Sequence, residues 1–439
     1  MASRIGGGSV RSWLDRAKVL LSGRLARNAS WSFFGQMISI VLQAGYFVII
    51  ARLLGSTNYG IYTAAFALVS IVSQYSSLGS GYVFLRRVSA DPSSFSQYWG
   101  NILLTTVTFG SLLVGVLVLV GHFAISSVHA SLILFIAIGD TVCQQLISTV
   151  GQVFQAFENL RTMATLNMSM NVLRFGLALG LFIGINHANA YQWAFASMLV
   201  SVIAALCAIV AVSVTFGRPT FSLRTVFENI SEGFVFSLSG STTYIYNDLD
   251  KVMLGHYGMN AANGIYTTAY RVLNICTTPI TSIHNATFPR FFQLGVRGAR
   301  ATEPFARKVL RKTTIFGVAG AIGMFVAAPV LPHLLGKSFA DSVLALRWLC
   351  LIPLFRCFHL SAGDALAGAG YQNYRLVTRI CAALLNFGLN LILIPRFSWL
   401  GAAWASLATD GGLGVIDWVV IRWLISREKN RSAPILEFA

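Results

Sequence analysis

The chain has 439 residues, of which 55% are hydrophobic and only 11% are charged. Soluble domains carry about 25% charged residues, so this composition excludes a soluble enzyme and a disordered chain. The net charge of +17 is not accompanied by a nucleic-acid-binding motif, and basic loops on one side of a membrane explain it better.

Long apolar runs recur along the whole chain. A transmembrane helix needs about 20 mostly apolar residues, and on that criterion the sequence predicts an all-α, polytopic membrane protein with about twelve transmembrane helices. Numbered one to twelve, the predicted spans are 30–54, 58–85, 98–121, 128–156, 164–186, 190–215, 231–256, 261–288, 313–335, 343–368, 375–395 and 400–425.

The Lys and Arg residues predict the orientation of these spans. With a cytoplasmic N-terminus, 24 of the 32 fall on the inner side and four on the outer side. Because inner loops are enriched in Lys and Arg, we expect both termini to be cytoplasmic. The outer connections are only a few residues long and leave no external domain for a catalytic site, so we do not expect an enzyme.

This topology divides the chain into five regions. In the first of them Val10, Trp13 and Leu14 share one face of a basic amphipathic helix, which is expected to lie on the anionic inner leaflet. The predicted regions are the inner-leaflet segment 1–29, a first six-helix lobe 30–215, a cytoplasmic linker 216–230, a second six-helix lobe 231–425 and a cytoplasmic tail 426–439.

The two halves of the chain share short motifs in the same order. The Gly-Ile-Tyr-Thr motif at Gly60–Thr63 recurs at Gly264–Thr267, and a Leu-Gly pair precedes each copy. Six spans per half give both copies the same orientation in the membrane. Such parallel repeats are typical of transporters with a substrate site between the lobes.

Three arginines, Arg174, Arg271 and Arg356, lie about ten to thirteen residues inside their spans, at a depth of about 15–20 Å. A charged side chain near mid-membrane costs about 2.5–3.5 kcal/mol on insertion scales. Because arginine binds phosphate bidentately, these positions favour a cationic cavity for an anionic ligand. Structural ion pairs with Asp140 or Asp410 are the alternative.

Five aspartates are candidates for ion coupling or for charge pairing: Asp140, Asp410, Asp248, Asp250 and Asp364. The first two lie near mid-membrane, where protonation can couple transport to a proton gradient or an arginine can neutralise the carboxylate. The next two lie near the outer face with Lys251, as an interfacial pair or a gate. The last lies near the cytoplasmic end of its span.

Other residue types add smaller predictions. His359 lies near a mid-membrane charge, and we expect it to pack in the core. Pro279 and Pro353 interrupt spans eight and ten and permit bending. Span five carries three glycines at a spacing of four residues, Gly176, Gly180 and Gly184. This spacing predicts a close helix contact. The six cysteines lack metal-ligand spacing, and neither a metal nor a cofactor is expected. Uphill transport would draw on an ion gradient, of protons or sodium, or on consumption of the product.

Several segments carry a resemblance to a known family. They are Ala51–Gly55 with Tyr59–Tyr62, and Asn247–Gly255 with Gly264–Tyr266 and Ala269–Arg271. These segments resemble the Wzx-like polysaccharide-biosynthesis flippases of the MOP exporter superfamily. The resemblance implies two six-helix lobes forming a V around a central cavity, and transport of undecaprenyl-diphosphate-linked sugar units across the bacterial inner membrane for surface polysaccharide synthesis.

The resemblance also implies roles and partners. By position, Lys251 and Arg271 would contact the diphosphate. Arg174 and Arg356 are candidates for the same contact only because of their depth in the membrane. The partners would be the lipid-linked oligosaccharide, membrane lipid, and polysaccharide polymerase and export machinery. We expect alternating access. The polyprenyl tail would stay in the lipid and reach the headgroup through a gap between spans one and eight or between spans two and seven.

Two other functions are alternatives. A MATE-like ion-coupled drug or cation exporter would share the architecture, but span one carries Gln36 and Gln43 and no carboxylate, and mid-membrane arginines oppose a cationic cargo. A membrane glycan polymerase or ligase needs an external catalytic loop, which the short outer connections do not supply.

Overall fold

The computed structural model describes residues 24–125, 128–157, 159–185 and 188–431. The predicted inner-leaflet segment up to residue 23 and residues 432–439 of the predicted tail lie outside them. Within the described ranges the chain is helical with short connections and contains no β-strand. The all-α prediction is confirmed.

Most helices coincide with predicted apolar runs. The first helix, Arg24–Ser73, continues from predicted span one into span two, and the end of span two lies in a separate helix, Ser80–Ala90. A π-helix, Ile138–Gln144, joins the α-helices Ala130–Ala137 and Gln145–Ala156. In the described residues the α-helices are α1 (Arg24–Ser73), α2 (Ser80–Ala90), α3 (Phe95–Ala124), α4 (Ala130–Ala137), α5 (Gln145–Ala156), α6 (Leu160–Gly184), α7 (Ala190–Phe216), α8 (Leu223–His256), α9 (Asn260–Gly295), α10 (Ala299–Ala327), α11 (Val330–Leu335), α12 (Ser342–Leu349), α13 (Ile352–Gly368), α14 (Gln372–Phe397) and α15 (Trp399–Arg431).

Many of the described helices are long and apolar, and they expose apolar side chains. Seven are long and apolar enough to cross a membrane, or eight if the bent pair Lys337–Leu349 and Ile352–Gly368 is one span. On α10, for example, Ile315, Ile322 and Val326 are 69%, 61% and 69% exposed, as expected for side chains that face lipid. The chain is a multi-span membrane protein. The total of twelve spans stays a prediction.

Glycine and proline mark two breaks in the helices. α1 bends at Gly55, whose φ of 66° lies in the left-handed region that glycine adopts without steric cost. Predicted span ten is broken by a 41° bend between α12 and α13, and Pro353 lies in the first turn of α13. By contrast, α9 continues through Pro279.

The described helices pack into two compact units. Within the described residues, the first unit consists of 24–53, Val72–Val118 and Leu134–Ser241, and the second of Leu54–Ile71, Leu119–Ile133 and 242–431. Two short stretches of the first half of the sequence therefore pack with the second half.

An aromatic cluster holds the first unit together where α3, α5 and α7 meet. Trp99 is fully buried, and its indole nitrogen donates to Ser213 Oγ at 3.1 Å. Phe157 stacks on Phe216 with ring centroids 4.5 Å apart, and Phe95 packs against both rings. Each such aromatic pair contributes about 0.5–1.5 kcal/mol beyond its buried area, so the cluster fixes the ends of three helices.

The core of the second unit lies between α9, α10, α13 and α15. Phe291 and Leu366 are fully buried there, together with Trp418. The indole nitrogen of Trp418 donates to the carbonyl oxygen of Phe358 at 3.1 Å. This apolar layer holds the four helices that carry most of the polar residues described below.

The duplicated Gly-Ile-Tyr-Thr motifs meet in the second unit, where α1 crosses α9. A methyl group on Gly60 would lie 1.7 Å from the carbonyl oxygen of Asn260, and one on Gly264 would lie 2.0 Å from that of Ser56. The side-chain amide of Asn263 donates to the carbonyl oxygen of Gly60 at 2.8 Å. Each motif thus places its glycine against the backbone of the other helix.

The glycines of predicted span five do not form a packing face. A side chain at Gly176, Gly180 or Gly184 would meet no heavy atom of the described chain within 4 Å. The close contact of α6 is made instead by Phe175, which packs against Gly45 of α1. The predicted contact is wrong, because a spacing of four residues shows that glycines share a face but not what that face touches.

Replacing Gly264 by alanine should destabilise the protein, because the added methyl group would displace a backbone oxygen and overpacking costs about 1–3 kcal/mol. Gly180→Ala is the matched control, since alanine is favoured over glycine by about 1 kcal/mol in an open helix position. Thermal unfolding in detergent should show a lower midpoint for Gly264→Ala and an equal or higher midpoint for Gly180→Ala. Equal losses in both variants would contradict the crossing.

Candidate functional site

Arg356 on α13 is held in place by neutral groups. Its Nη1 atom donates to Asn274 Oδ1 at 3.1 Å and to Thr277 Oγ1 at 3.2 Å, both on α9. In the described part of the chain, no carboxylate lies within 4 Å of this guanidinium. A guanidinium has five N–H donors, so these contacts orient Arg356 and leave donors for an anion.

Arg271 lies three residues before Asn274 on α9 and is half-buried. Residues three apart share one side of a helix, so Arg271 lies on the side that contacts Arg356. Three residues correspond to a rise of about 4.5 Å. Arg271 and Arg356 both belong to the second unit, and Arg271 lies about one helical turn from Asn274, a partner of Arg356.

Lys251, the third predicted cation of the second unit, is enclosed. The side chain is 6% exposed. Its ammonium pairs with Asp248 and donates to the carbonyl oxygen of Asn247 at 2.9 Å. It also lies 4.8 Å from the centre of the Tyr270 ring. The predicted Asp248–Lys251 pair is formed, and Lys251 is less accessible to a ligand than Arg356.

A buried polar connection links α8, α9 and α15. Asp250 accepts hydrogen bonds from the backbone nitrogen of Lys251, at 2.8 Å, and from the phenol of Tyr266. The Tyr266 hydroxyl also lies 3.0 Å from Ser406 Oγ. Tyr270 lies beside the same serine. Asp250 is therefore a hydrogen-bonded interior group.

Two histidine–aspartate pairs continue this polar interior. Asp410 is 1% exposed, and its Oδ1 atom lies 3.7 Å from Nε2 of His359. Nearer the other end of α13, Asp364 Oδ2 lies 2.7 Å from Nδ1 of His284, and its Oδ1 atom lies 3.6 Å from Arg375. Asp364 is thus enclosed by two potential cations.

The remaining predicted residues, Asp140 and Arg174, lie in the first unit. Arg174 Nη2 donates to Gln144 Oε1 at 2.8 Å, while Asp140 lies beside Ser73 and within electrostatic range of Arg174. Asp140 belongs to the π-helix between α4 and α5, and π-helical turns are frequent at functional sites. Arg174 therefore has a carboxylate nearby that can neutralise it, whereas Arg356 has none within 4 Å in the described part of the chain.

Predicted spans two and seven touch in the first unit. A methyl group on Gly79, in the turn before α2, would lie 2.0 Å from the carbonyl oxygen of Gly233 on α8. Backbones at this separation leave no opening for a lipid tail at this level. The alternative gap between spans two and seven is therefore closed at these two glycines.

Sequence reasoning missed the residues that connect the charges: Tyr266, Tyr270, Ser406, His284 and Arg375. The two tyrosines lie in the motif segments, where they mark the family but do not indicate a partner. Serine, histidine and arginine on separate helices give no sequence signal for a shared contact. In the described chain, no group of three or more His, Cys, Asp and Glu side chains could hold a metal ion.

Known proteins resemble this chain over most of its length. The probable flippase AglR of Haloferax volcanii is 23% identical over 414 residues, which cover 88% of this chain and 80% of that protein. An inward-facing structure of a multidrug resistance MATE family transporter of the MOP superfamily matches with a TM-score of 0.71 and 17% identity, covering 90% of this chain and 96% of that one.

A second solved structure shows the same fold. The lipid II flippase MurJ, in an inward closed conformation, matches with a TM-score of 0.70 and 12% identity, covering 91% of this chain and 87% of that one. At identities this low, the two matches show a likeness of fold alone. Their TM-scores confirm the predicted MATE-like fold class.

A family model covers the part of the chain that carries the motifs. The model described as polysaccharide biosynthesis protein matches residues 25–295, which include both Gly-Ile-Tyr-Thr copies and Arg271. This match spans more than half of the chain. The chain therefore belongs to the polysaccharide biosynthesis protein family.

Proposed function

We propose that this protein is a flippase that moves a polyprenyl-diphosphate-linked oligosaccharide from the inner to the outer leaflet by alternating access. Membership of the polysaccharide biosynthesis family supports this proposal, as does the similarity to AglR, a probable flippase. In a bacterium the lipid would be undecaprenyl diphosphate in the cytoplasmic membrane, with both protein termini cytoplasmic. A polymerase and export machinery would use the product.

The observation that carries the proposal is that neutral groups, and no carboxylate of the described residues, contact the guanidinium of Arg356. Asn274 and Thr277 orient its guanidinium without neutralising it, and Arg271 adds a second positive charge on the same side of α9. Hydrogen bonds between charged partners contribute about 1.5–3 kcal/mol each. Arg356 therefore suits a phosphate group of a diphosphate, while it repels the cationic cargo of a drug exporter.

Replacing Arg356 by alanine should abolish sugar-polymer export while leaving the protein in the membrane. The loss of one charge-assisted phosphate contact, about 1.5–3 kcal/mol, corresponds to about a 10- to 100-fold weaker headgroup affinity. Arg356→Lys should retain part of the export, because lysine keeps the charge but not the bidentate geometry. Export is measured by complementation of a flippase-null strain.

Arg347→Ala is the matched control for this experiment. Arg347 is exposed on α12, and its guanidinium lies 4.9 Å from the centre of the Phe325 ring. We expect normal export in this variant. Normal export in Arg356→Ala, with membrane levels equal to those of the control, would refute the role of Arg356.

The crossing of α1 and α9 is suited to closing the outer side of the transporter. It lies next to Gly55 and Asn260, where α1 bends and α9 begins, and both points are on the outer side of the membrane in the predicted orientation. The contact is held by backbone packing and by one amide. Alternating access requires this kind of contact to separate when the substrate leaves on the outer side.

Locking the crossing should therefore stop transport reversibly. Asn263 Nδ2 lies 3.4 Å from Thr63 Oγ1, so the two side chains face each other across the crossing, and cysteines at these positions are the pair with which to test a disulfide. Oxidised Thr63→Cys/Asn263→Cys protein should lose translocation and regain it with a reductant, while each single variant should be insensitive to oxidation. Undiminished translocation by the fully cross-linked protein would contradict an outer gate at this crossing.

A further inference from the structure

Four exposed cations lie together on α10, near the end of the helix that the predicted orientation places on the inner side. They are Arg307, Lys308, Arg311 and Lys312, and we call this group the α10 patch. Residues three or four apart are neighbours on a helix, with about 5–6 Å between their Cβ atoms. The four side chains therefore form one compact group less than two helical turns long.

Most of the positive charge of the α10 patch is uncompensated. Glu303 pairs with Arg307, whose side chain is 51% exposed. No carboxylate of the described chain lies within 4 Å of the other three cations. Glu428 of α15 is engaged elsewhere, because its two oxygens accept hydrogen bonds from backbone nitrogens at the start of α10. Four cations and one carboxylate leave the patch with a net charge of +3.

The α10 patch is held by a packed helix. On the opposite side of the same turns, Ala306 and Val309 are buried in the core of the second unit, together with Ala362 and Leu366 of α13. The backbone that carries the four cations is therefore fixed before any ligand arrives. A site that is ordered in advance loses less conformational entropy when a ligand binds.

The exposed side of α10 changes from cationic to apolar just after the patch. Arg311, Ile315, Ile322 and Val326 follow one another at steps of four and seven residues, so they share one side of the helix. All four are exposed. Apolar residues on this side suit acyl chains, and long cationic side chains at the end of such a stretch extend towards the headgroups. The α10 patch therefore lies at the level of the inner headgroups in the predicted orientation.

Two neighbouring helices show the same change at this end. On α15, exposed Val419 is followed by exposed Arg422 and Trp423, and the guanidinium of Arg427 lies 3.9 Å from the centre of the Trp423 ring. Tyr374, at the start of α14, packs edge-on against Trp423 with ring centroids 5.9 Å apart. Because Trp and Tyr are enriched at membrane interfaces, these contacts indicate the headgroup region independently of α10.

We infer that the α10 patch binds the anionic headgroups of inner-leaflet phospholipids. Lys and Arg form strong charge-assisted hydrogen bonds with phosphate oxygens, and clusters of these residues beside a transmembrane helix suit anionic lipids. A zwitterionic headgroup is a poorer ligand, because its ammonium group has the same sign of charge as the patch. The inference concerns the surrounding membrane and not the transported lipid, so it does not depend on the proposed flippase function.

Binding of two fluorescent lipids to the purified protein in a neutral detergent tests this inference. Phosphatidylglycerol is compared with phosphatidylcholine that has the same acyl chains. Each cation at an anionic lipid surface strengthens binding about fivefold, so phosphatidylglycerol should bind at least about tenfold more tightly. Because salt screens exposed charges, the difference should shrink between about 50 mM and about 500 mM salt. Equal affinities for the two lipids would overturn the inference and leave the patch to an acidic protein partner.

Removal of two charges tests the assigned residues. Lys308→Gln/Lys312→Gln should weaken phosphatidylglycerol binding about 25-fold and leave phosphatidylcholine binding unchanged, whereas Lys308→Arg/Lys312→Arg should bind both lipids as the wild type does. Arg347→Gln/Arg396→Gln is the matched control, because it removes two exposed cations of the second unit from the predicted outer end. A wild-type preference for phosphatidylglycerol in Lys308→Gln/Lys312→Gln, or an equal loss in the control, would overturn the site.

The variant Arg356→Ala separates this lipid site from the proposed substrate site. Its phosphatidylglycerol affinity should equal that of the wild type, because Arg356 is held between α13 and α9 by Asn274 and Thr277. Loss of phosphatidylglycerol binding in Arg356→Ala would place the phospholipid in the substrate site and overturn the inference. A wild-type protein that binds phosphatidylglycerol selectively but exports no sugar polymer would refute the flippase and support the lipid site.

Discussion

Charge inside an apolar helix bundle must be neutralised, hydrogen-bonded or hydrated, and this constraint governs the interior of the second unit. Most charges there meet it with a protein partner: Lys251 has Asp248 and Asp364 has Arg375. Among the residues that the structure describes, Arg356 meets it with an amide and a hydroxyl and no carboxylate. That difference separates groups that stabilise the fold from a group that is ready to receive an anion.

The internal repeat has a physical role in this fold. The two Gly-Ile-Tyr-Thr copies pack against each other through Gly60 and Gly264, so one short motif supplies both sides of a backbone crossing. Because the same contact draws the stretch after Gly55 towards α9, part of the first half of the sequence packs with the second half. Tyr266, in the second copy, also joins Asp250 to Ser406. The motif therefore serves helix packing and the polar interior at once.

The sequence predicted the helices well, because the length of an apolar run is a direct consequence of membrane thickness. It also indicated the charged positions, since Arg356 and Asp410 stand out within apolar spans. It did not predict their partners. His284 pairs with Asp364 across 80 residues of sequence, and a helical period shows which residues share a face without showing what lies opposite. The same limit explains the open space beside Gly180.

Binding of polyprenyl diphosphate to the purified protein tests the central claim most directly, namely that Arg356 in the second unit receives a phosphorylated lipid headgroup. The affinities of the diphosphate, the monophosphate and the free polyprenol are compared in the same detergent. Because each charge-assisted contact contributes about 1.5–3 kcal/mol, the diphosphate should bind at least about tenfold more tightly than the alcohol. Equal affinities for the diphosphate and the alcohol would contradict the account.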